Sequence, residues 1–236
     1  MTASLHEFLA AGDLDELVAY RERLADLDRA DRDRIRAVLD AWSDPQAVAN
    51  LLMNLELIPD DQRFRYIQRG LEEPAGSYLT LATIVGLSRL GIERFAPAEQ
   101  AALVARLLAA IAQNTGPIAD QASSLLASYI TENVMVLPLH LQYEAKLVPL
   151  LDHPSDAVKH NILVALIPVV GLENLRRFLD EAVTAGRIST DARRYVEGRL
   201  AEIDGLAADN KVNMAQLDLH GLALPLLAYI PNLSDW

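Results

Sequence analysis

The stretch Leu147-Val-Pro-Leu-Leu-Asp-His-Pro-Ser-Asp-Ala-Val-Lys-His-Asn-Ile-Leu-Val-Ala-Leu-Ile-Pro-Val-Val-Gly171 decides the fold. It reads as a helix, a tight turn at Asp152-His153-Pro154, and a second helix that is apolar on nearly every side. A helix with one apolar stripe needs one neighbour, whereas a helix apolar all round needs cover on several sides. The spacing predicts the second helix over 156–170, with Gly171 as its stop. Ala101-Ala-Leu-Val-Ala-Arg-Leu-Leu-Ala-Ala-Ile-Ala112 has the same character, with Arg106 as its only charge. Both helices are expected in the middle of a helical stack.

Working outward, start and stop signals recur along the chain. Asp44 caps and Pro45 takes a first helical position, Pro97 opens another helix, and Ser189-Thr-Asp191 opens a third. Gly91, Gly171, Gly186 and Gly205 read as helix ends. The run Asp26-Leu-Asp-Arg-Ala-Asp-Arg-Asp-Arg-Ile-Arg36 alternates in sign and reads as a solvated helix face with local ion pairs. Trp42 reads as a core anchor. Asn133-Val-Met-Val-Leu-Pro138 is open between helix and an extended connection. Ala207-Ala-Asp-Asn-Lys211 reads as a linker. Val212–Trp236 is apolar but punctuated by Gly221, Pro225 and Pro231, so it is no long clean helix. These signals predict about twelve helices in an all-α fold.

Composition agrees and excludes several functions. The chain has 236 residues, 51% hydrophobic and 23% charged, with only 6% aromatic, which suits a helix-rich globular core. Its formal charge is −12, and its Lys and Arg are mostly interleaved with Asp and Glu. That weighs against nucleic acid and anionic membranes, and it allows a basic partner. The absence of cysteine removes disulfides, thiolate catalysis and Cys-ligated metals. The first residues lack a signal-peptide pattern, and no apolar run reaches the roughly 18–20 residues of a membrane span. The expectation is a cytoplasmic protein with no membrane association.

Helix pairs recur about every 30–45 residues, the range of helical solenoids. Two turns look alike: Asp40-Ala-Trp-Ser-Asp-Pro-Gln-Ala-Val48 and Asp152-His-Pro-Ser-Asp-Ala-Val158. At Leu150-Leu151-Asp152-His153-Pro154, at Val158-Lys159 and at Ala165-Leu166, Val169 and Gly171, the chain resembles the HEAT and armadillo-like repeat families. The bulky Asn161-Ile162 departs from the small residues that such repeats often carry. The resemblance implies a right-handed α-solenoid of stacked antiparallel helix pairs over 1–206. Residues 207–236 would form a linker and an irregular apolar segment docked on it. It also implies that Asp152 and Lys159 stabilise neighbouring units.

Chemistry is sparse. No phosphate-binding or nucleophile-elbow motif occurs, and Ser123-Ser124 sits inside a helix without a neighbouring His. His6-Glu7 lacks the second His of a zinc-binding helix, and no metal or cofactor is implied. No catalytic residue is assigned. The expected function is a non-enzymatic protein–protein interaction module that binds a helix or extended peptide in a solenoid groove. An acidic inhibitor or adaptor of a basic partner is one form of it. His153, Asp156, Lys159 and His160, around the deciding turn, are the candidate partner-binding residues. The alternative is an enzyme, or a carrier of a small ligand or metal, with a concave pocket near His140, Glu144, His153 and His160.

Overall fold

The structure, a computed structural model, describes residues 3–12, 14–21, 24, 27–133 and 145–209. Among these residues every regular element is helical and there is no strand. The chain divides into two compact units, Met1–Leu125 and Leu126–Trp236. Among the described residues, no helix is long and apolar enough to cross a membrane.

The first unit carries α1 (Ala3–Ala10), α2 (Leu14–Arg21), α3 (Arg29–Ala41), α4 (Pro45–Leu52), α5 (Asp60–Leu71), α6 (Tyr78–Leu90) and α7 (Pro97–Gln113). The division falls within α8 (Pro117–Asn133). A 3-10 turn, Leu55–Leu57, joins α4 to α5, and another, Ile92–Arg94, joins α6 to α7. Helix α4 packs against α3, α5 and α6, while α5 packs against α6 and α7. Each of these two helices therefore touches the next helix and the next but one.

Caps set the starts. Asp44 accepts from the Ala47 amide at 3.1 Å, with Pro45 behind it, and Ser77 accepts from Leu79 at 3.2 Å. These carboxylate and hydroxyl oxygens satisfy amides that have no partner inside the helix. At the other end of α1, the buried Asn50 on α4 donates to the carbonyls of Phe8 and Ala11, both at 3.0 Å. It fastens α1 to α4 by its last carbonyls. Gly86 allows the closest approach between α4 and α6: a Cβ there would collide with the Leu52 carbonyl oxygen. Backbone cannot swing aside as a side-chain tip can, so this position admits no side chain without shifting a helix.

Three expectations change in this unit. Trp42 is only half-buried. It ends α3 with φ of 50°, the only positive φ at a non-glycine among the described residues. Its indole donates to Glu73 at 2.8 Å, and Arg69 lies 4.3 Å over the ring, so polar and cation–π contacts hold a strained backbone. Asp31, within the sign-alternating run, is fully buried. Helix α7 buries only the stripe Leu103, Val104, Leu107, Ala110 and Ile111, leaving Ala101, Ala105 and Ala112 exposed. Alanine raises apolar content without demanding cover, which is why that helix reads as apolar all round.

The second unit carries a 3-10 segment (Val148–Asp152), α9 (Asp156–Val170), α10 (Leu172–Thr184) and α11 (Thr190–Asp209). Helix α9 begins and ends where the sequence predicts. Ser155 accepts from Val158 at 3.4 Å, and Gly171 closes it with φ of 83°. Ile162 through Ile167 are buried without interruption, as a helix covered on several sides requires. Pro168 sits in its last turn. Helix α11 runs through Gly205 to Asp209, past the expected stop. Residues 134–138, His140, Glu144, His220 and the segment 212–236 lie outside the described residues.

Candidate functional site

In the second unit the structure places the four candidate residues around one corner. Asp156 and Lys159, one helical turn apart at the start of α9, form an ion pair of 2.7 Å. The Lys159 ammonium also lies 4.7 Å over the Tyr195 ring of α11, and the Tyr195 hydroxyl donates to the Asp156 carbonyl at 3.1 Å. His153 uses its Nδ1 to accept from the Ser155 amide at 3.1 Å. Asp152 accepts from the Ser189 amide at 2.9 and 3.1 Å and from the Ser189 hydroxyl, and that hydroxyl in turn caps α11 at Ala192, 3.1 Å. The corner thus joins one interhelical turn to the next. Its polar groups are committed to holding α9 and α11 in place.

His160 is the exception. Both of its ring nitrogens are buried and neither has a hydrogen-bond partner among the described residues. Burial holds its pKa below the ordinary value, the nearby Arg199 guanidinium adds to that, and Glu202 opposes it. Among the described residues, no three His, Asp or Glu side chains stand close enough together to hold a metal ion.

The first unit holds a different kind of site, a cleft of about 470 Å³. Glu56, Asp60, Arg63 and Phe64 line one side, and Leu90, Arg94, Phe95 and Glu99 the other. The two sides are built alike. Leu55-Glu-Leu-Ile-Pro59 and Ile92-Glu-Arg-Phe-Ala-Pro97 each form a 3-10 turn followed by an extended residue and a proline at or next to the start of a helix. Each is then clamped by a side chain of the helix it enters. Arg63 donates to the carbonyls of Leu55 and Ile58, both at 2.8 Å. Gln100 donates to Phe95 at 2.7 Å and Glu93 at 3.3 Å. The cleft therefore lies between two equivalent connectors.

Its walls combine ring surface with charge. Phe64 and Phe95 are half-buried, with centroids 6.2 Å apart and planes tilted by 50°. Arg63 is committed to the two carbonyls and to Asp60 at 2.6 Å. Glu99 gives one oxygen to the Ala96 amide at 3.0 Å, while Glu56 forms an ion pair with Arg21 at 3.8 Å. Arg94 is exposed and makes no ion pair or hydrogen bond among the described residues. The cleft is thus lined mainly by charged side chains, with ring surface from Phe64 and Phe95 among them and Arg94 as the cation left open to another molecule.

The sequence reading names none of the cleft residues as a site residue. The echo between the two connectors is the signal that finds them. It is short and non-helical, so a search for 3.6-residue periodicity passes over it. No family model, curated protein or solved structure matches the chain, so the argument for the cleft rests on its own geometry.

Proposed function

We propose that this chain is a non-enzymatic, cytoplasmic protein-binding module built as a right-handed HEAT-like solenoid, and that the Phe64–Phe95 cleft receives a segment of its partner. Several features support the stack. The pairs α3/α4 and α5/α6 and the helix α7 begin at Arg29, Asp60 and Pro97 in a recurring register. Contacts of α4 and α5 with the next-but-one helix are what stacked pairs require. Polar bonds also run from turn to turn: Trp42 to Glu73, then Gly76 to the Asn114 side chain at 2.7 Å.

The observation that carries the binding role is the cleft itself, where aromatic surface and an unpaired Arg94 stand open between equivalent connectors. In stacked repeats, such positions form a row along which an extended segment is gripped side chain by side chain. The test is affinity capture from native lysate with wild-type protein and a Phe64→Ser/Phe95→Ser variant, with mass-spectrometric identification. A partner held by the wild type and lost by the variant, at an unchanged circular-dichroism spectrum, is the expected outcome. Equal capture by both would overturn the assignment of binding to this cleft.

A further inference from the structure

We infer that the junction of α9 and α11 at His160 is an acid-sensitive joint: protonation of the imidazole releases the last turns of α11 from α9 while the first turns stay docked. Helix α11 is fastened at one end. Among the described residues, the bonds that tie it to its neighbours lie at its start: the Ser189 amide to Asp152, Arg193 to Asp180 at 2.6 Å, and the Tyr195 hydroxyl to the Asp156 carbonyl at 3.1 Å. One turn beyond Tyr195 the character changes. Arg199 pairs with Glu202 on its own helix at 2.8 Å, and both act electrostatically on His160 of α9. The ring they act on has two buried nitrogens with no hydrogen bond among the described residues.

A neutral imidazole is tolerated there, because it gives up hydrogen bonds to water but carries no charge. A protonated one is a cation with both N–H groups buried and unsatisfied and the Arg199 guanidinium nearby. Glu202 offsets part of this, but it is already shared with Arg199. On the two elements packed against α9, namely α10 and the 3-10 segment, no charged group acts on the ring among the described residues. Asp156 and Lys159, on α9 itself, are paired with each other. The smallest movement that relieves the charge is local. Lifting the end of α11 wets the ring and separates it from Arg199, without breaking the bonds at Ser189, Arg193 and Tyr195. Buried Leu200 opposes that movement and keeps the joint closed at neutral pH. Closure disfavours the protonated ring, so below its ordinary pKa of about 6.5 each further pH unit favours the open form by up to about tenfold.

The test is amide hydrogen exchange of the full chain at pH 7.5 and pH 5.5, with rates corrected for the intrinsic effect of pH on exchange. The expected result is a loss of protection at residues 199–209 on acidification, several-fold and up to about tenfold, with little change at 190–196. His160→Leu has no proton to gain there and should remove that loss. His160→Gln, which keeps a polar side chain that does not titrate, serves the same purpose should the leucine variant fail to fold. Unchanged protection at 199–209 in the wild type would overturn the joint. So would a loss of equal size across α9, α10 and both ends of α11, which is general loosening. A loss at 199–209 that survives replacement of His160 would overturn it as well, since the titrating group would then lie elsewhere.

Discussion

The corner at Asp152–His160 and the cleft at Phe64–Phe95 invert what their sequences suggest. The corner is rich in residue types that do chemistry: two histidines, an aspartate pair and a lysine. The structure engages most of them internally: Asp152 and Lys159 reach Ser189 and Tyr195 at α11, while His153 and Asp156 make contacts within the turn and α9. The cleft has no histidine, and its residues look like ordinary helix-end punctuation, yet among the described residues its Arg94 is left open. A polar side chain is available to a partner only when its own fold does not already satisfy it. Residue type alone does not report that.

This contrast makes predictions that separate structural from binding positions. The largest effect belongs to the scaffold that holds the connectors. Gly86→Leu would drive a side chain into the Leu52 carbonyl, and a loss of about 3 kcal/mol is expected, read as a lowered urea midpoint. A midpoint within experimental error of wild type would mean that α4 and α6 are not in close contact there. Next is the corner. Asp152→Ala removes the acceptor of the Ser189 amide and hydroxyl and should cost about 1.5 kcal/mol, with no change in partner capture.

His160 has a smaller effect with a defined pH signature. Its pKa is lower in the fold than in the unfolded chain, so the unfolded state takes up a proton first as pH falls. Its contribution is therefore intact above the unfolded value of about 6.5 and is lost as pH drops below it toward the folded value. His160→Leu leaves no unpaired nitrogen and should be about 1 kcal/mol more stable at neutral pH, with a flatter decline under acid. Urea melts above and below that pH check both, and a variant as acid-sensitive as wild type would locate the titration elsewhere. Smallest is Arg94→Glu: with no partner among the described residues to lose, its melting should stay within about 0.5 kcal/mol of wild type.

How much of this could be read from the sequence follows the range of the interactions. Local signals succeeded. The turn at Asp152-His153-Pro154 and Gly171 bounded α9, Asp44 and Pro45 started α4, and Gly91 ended α6. Each acts within a few residues of itself, which is the reach of capping chemistry. Interactions between distant turns were not readable. Trp42 passes for a core anchor because hydropathy cannot show that its indole meets Glu73 or that its backbone turns left-handed. The resemblance to HEAT-like repeats pointed to Asp152 and Lys159 as residues that join neighbouring units. Asp152 does reach the next interhelical turn, while Lys159 pairs with Asp156 and covers Tyr195 on α11. The cleft was hidden for a further reason. Its signal is a repeat of connectors, and two 3-10 turns carry no helical period to detect.

The most direct test of the account places a photo-reactive phenylalanine analogue at Phe95, in the cleft, and separately at Tyr195, on the corner, in cells that make the full chain. Both sites already carry aromatic rings, though the analogue at 195 also gives up the hydroxyl that donates to the Asp156 carbonyl, so unchanged circular-dichroism spectra are required of both variants. Irradiation should yield a discrete protein adduct from position 95 and none from position 195. An adduct from 195 with none from 95 would contradict the account and return the binding surface to the corner.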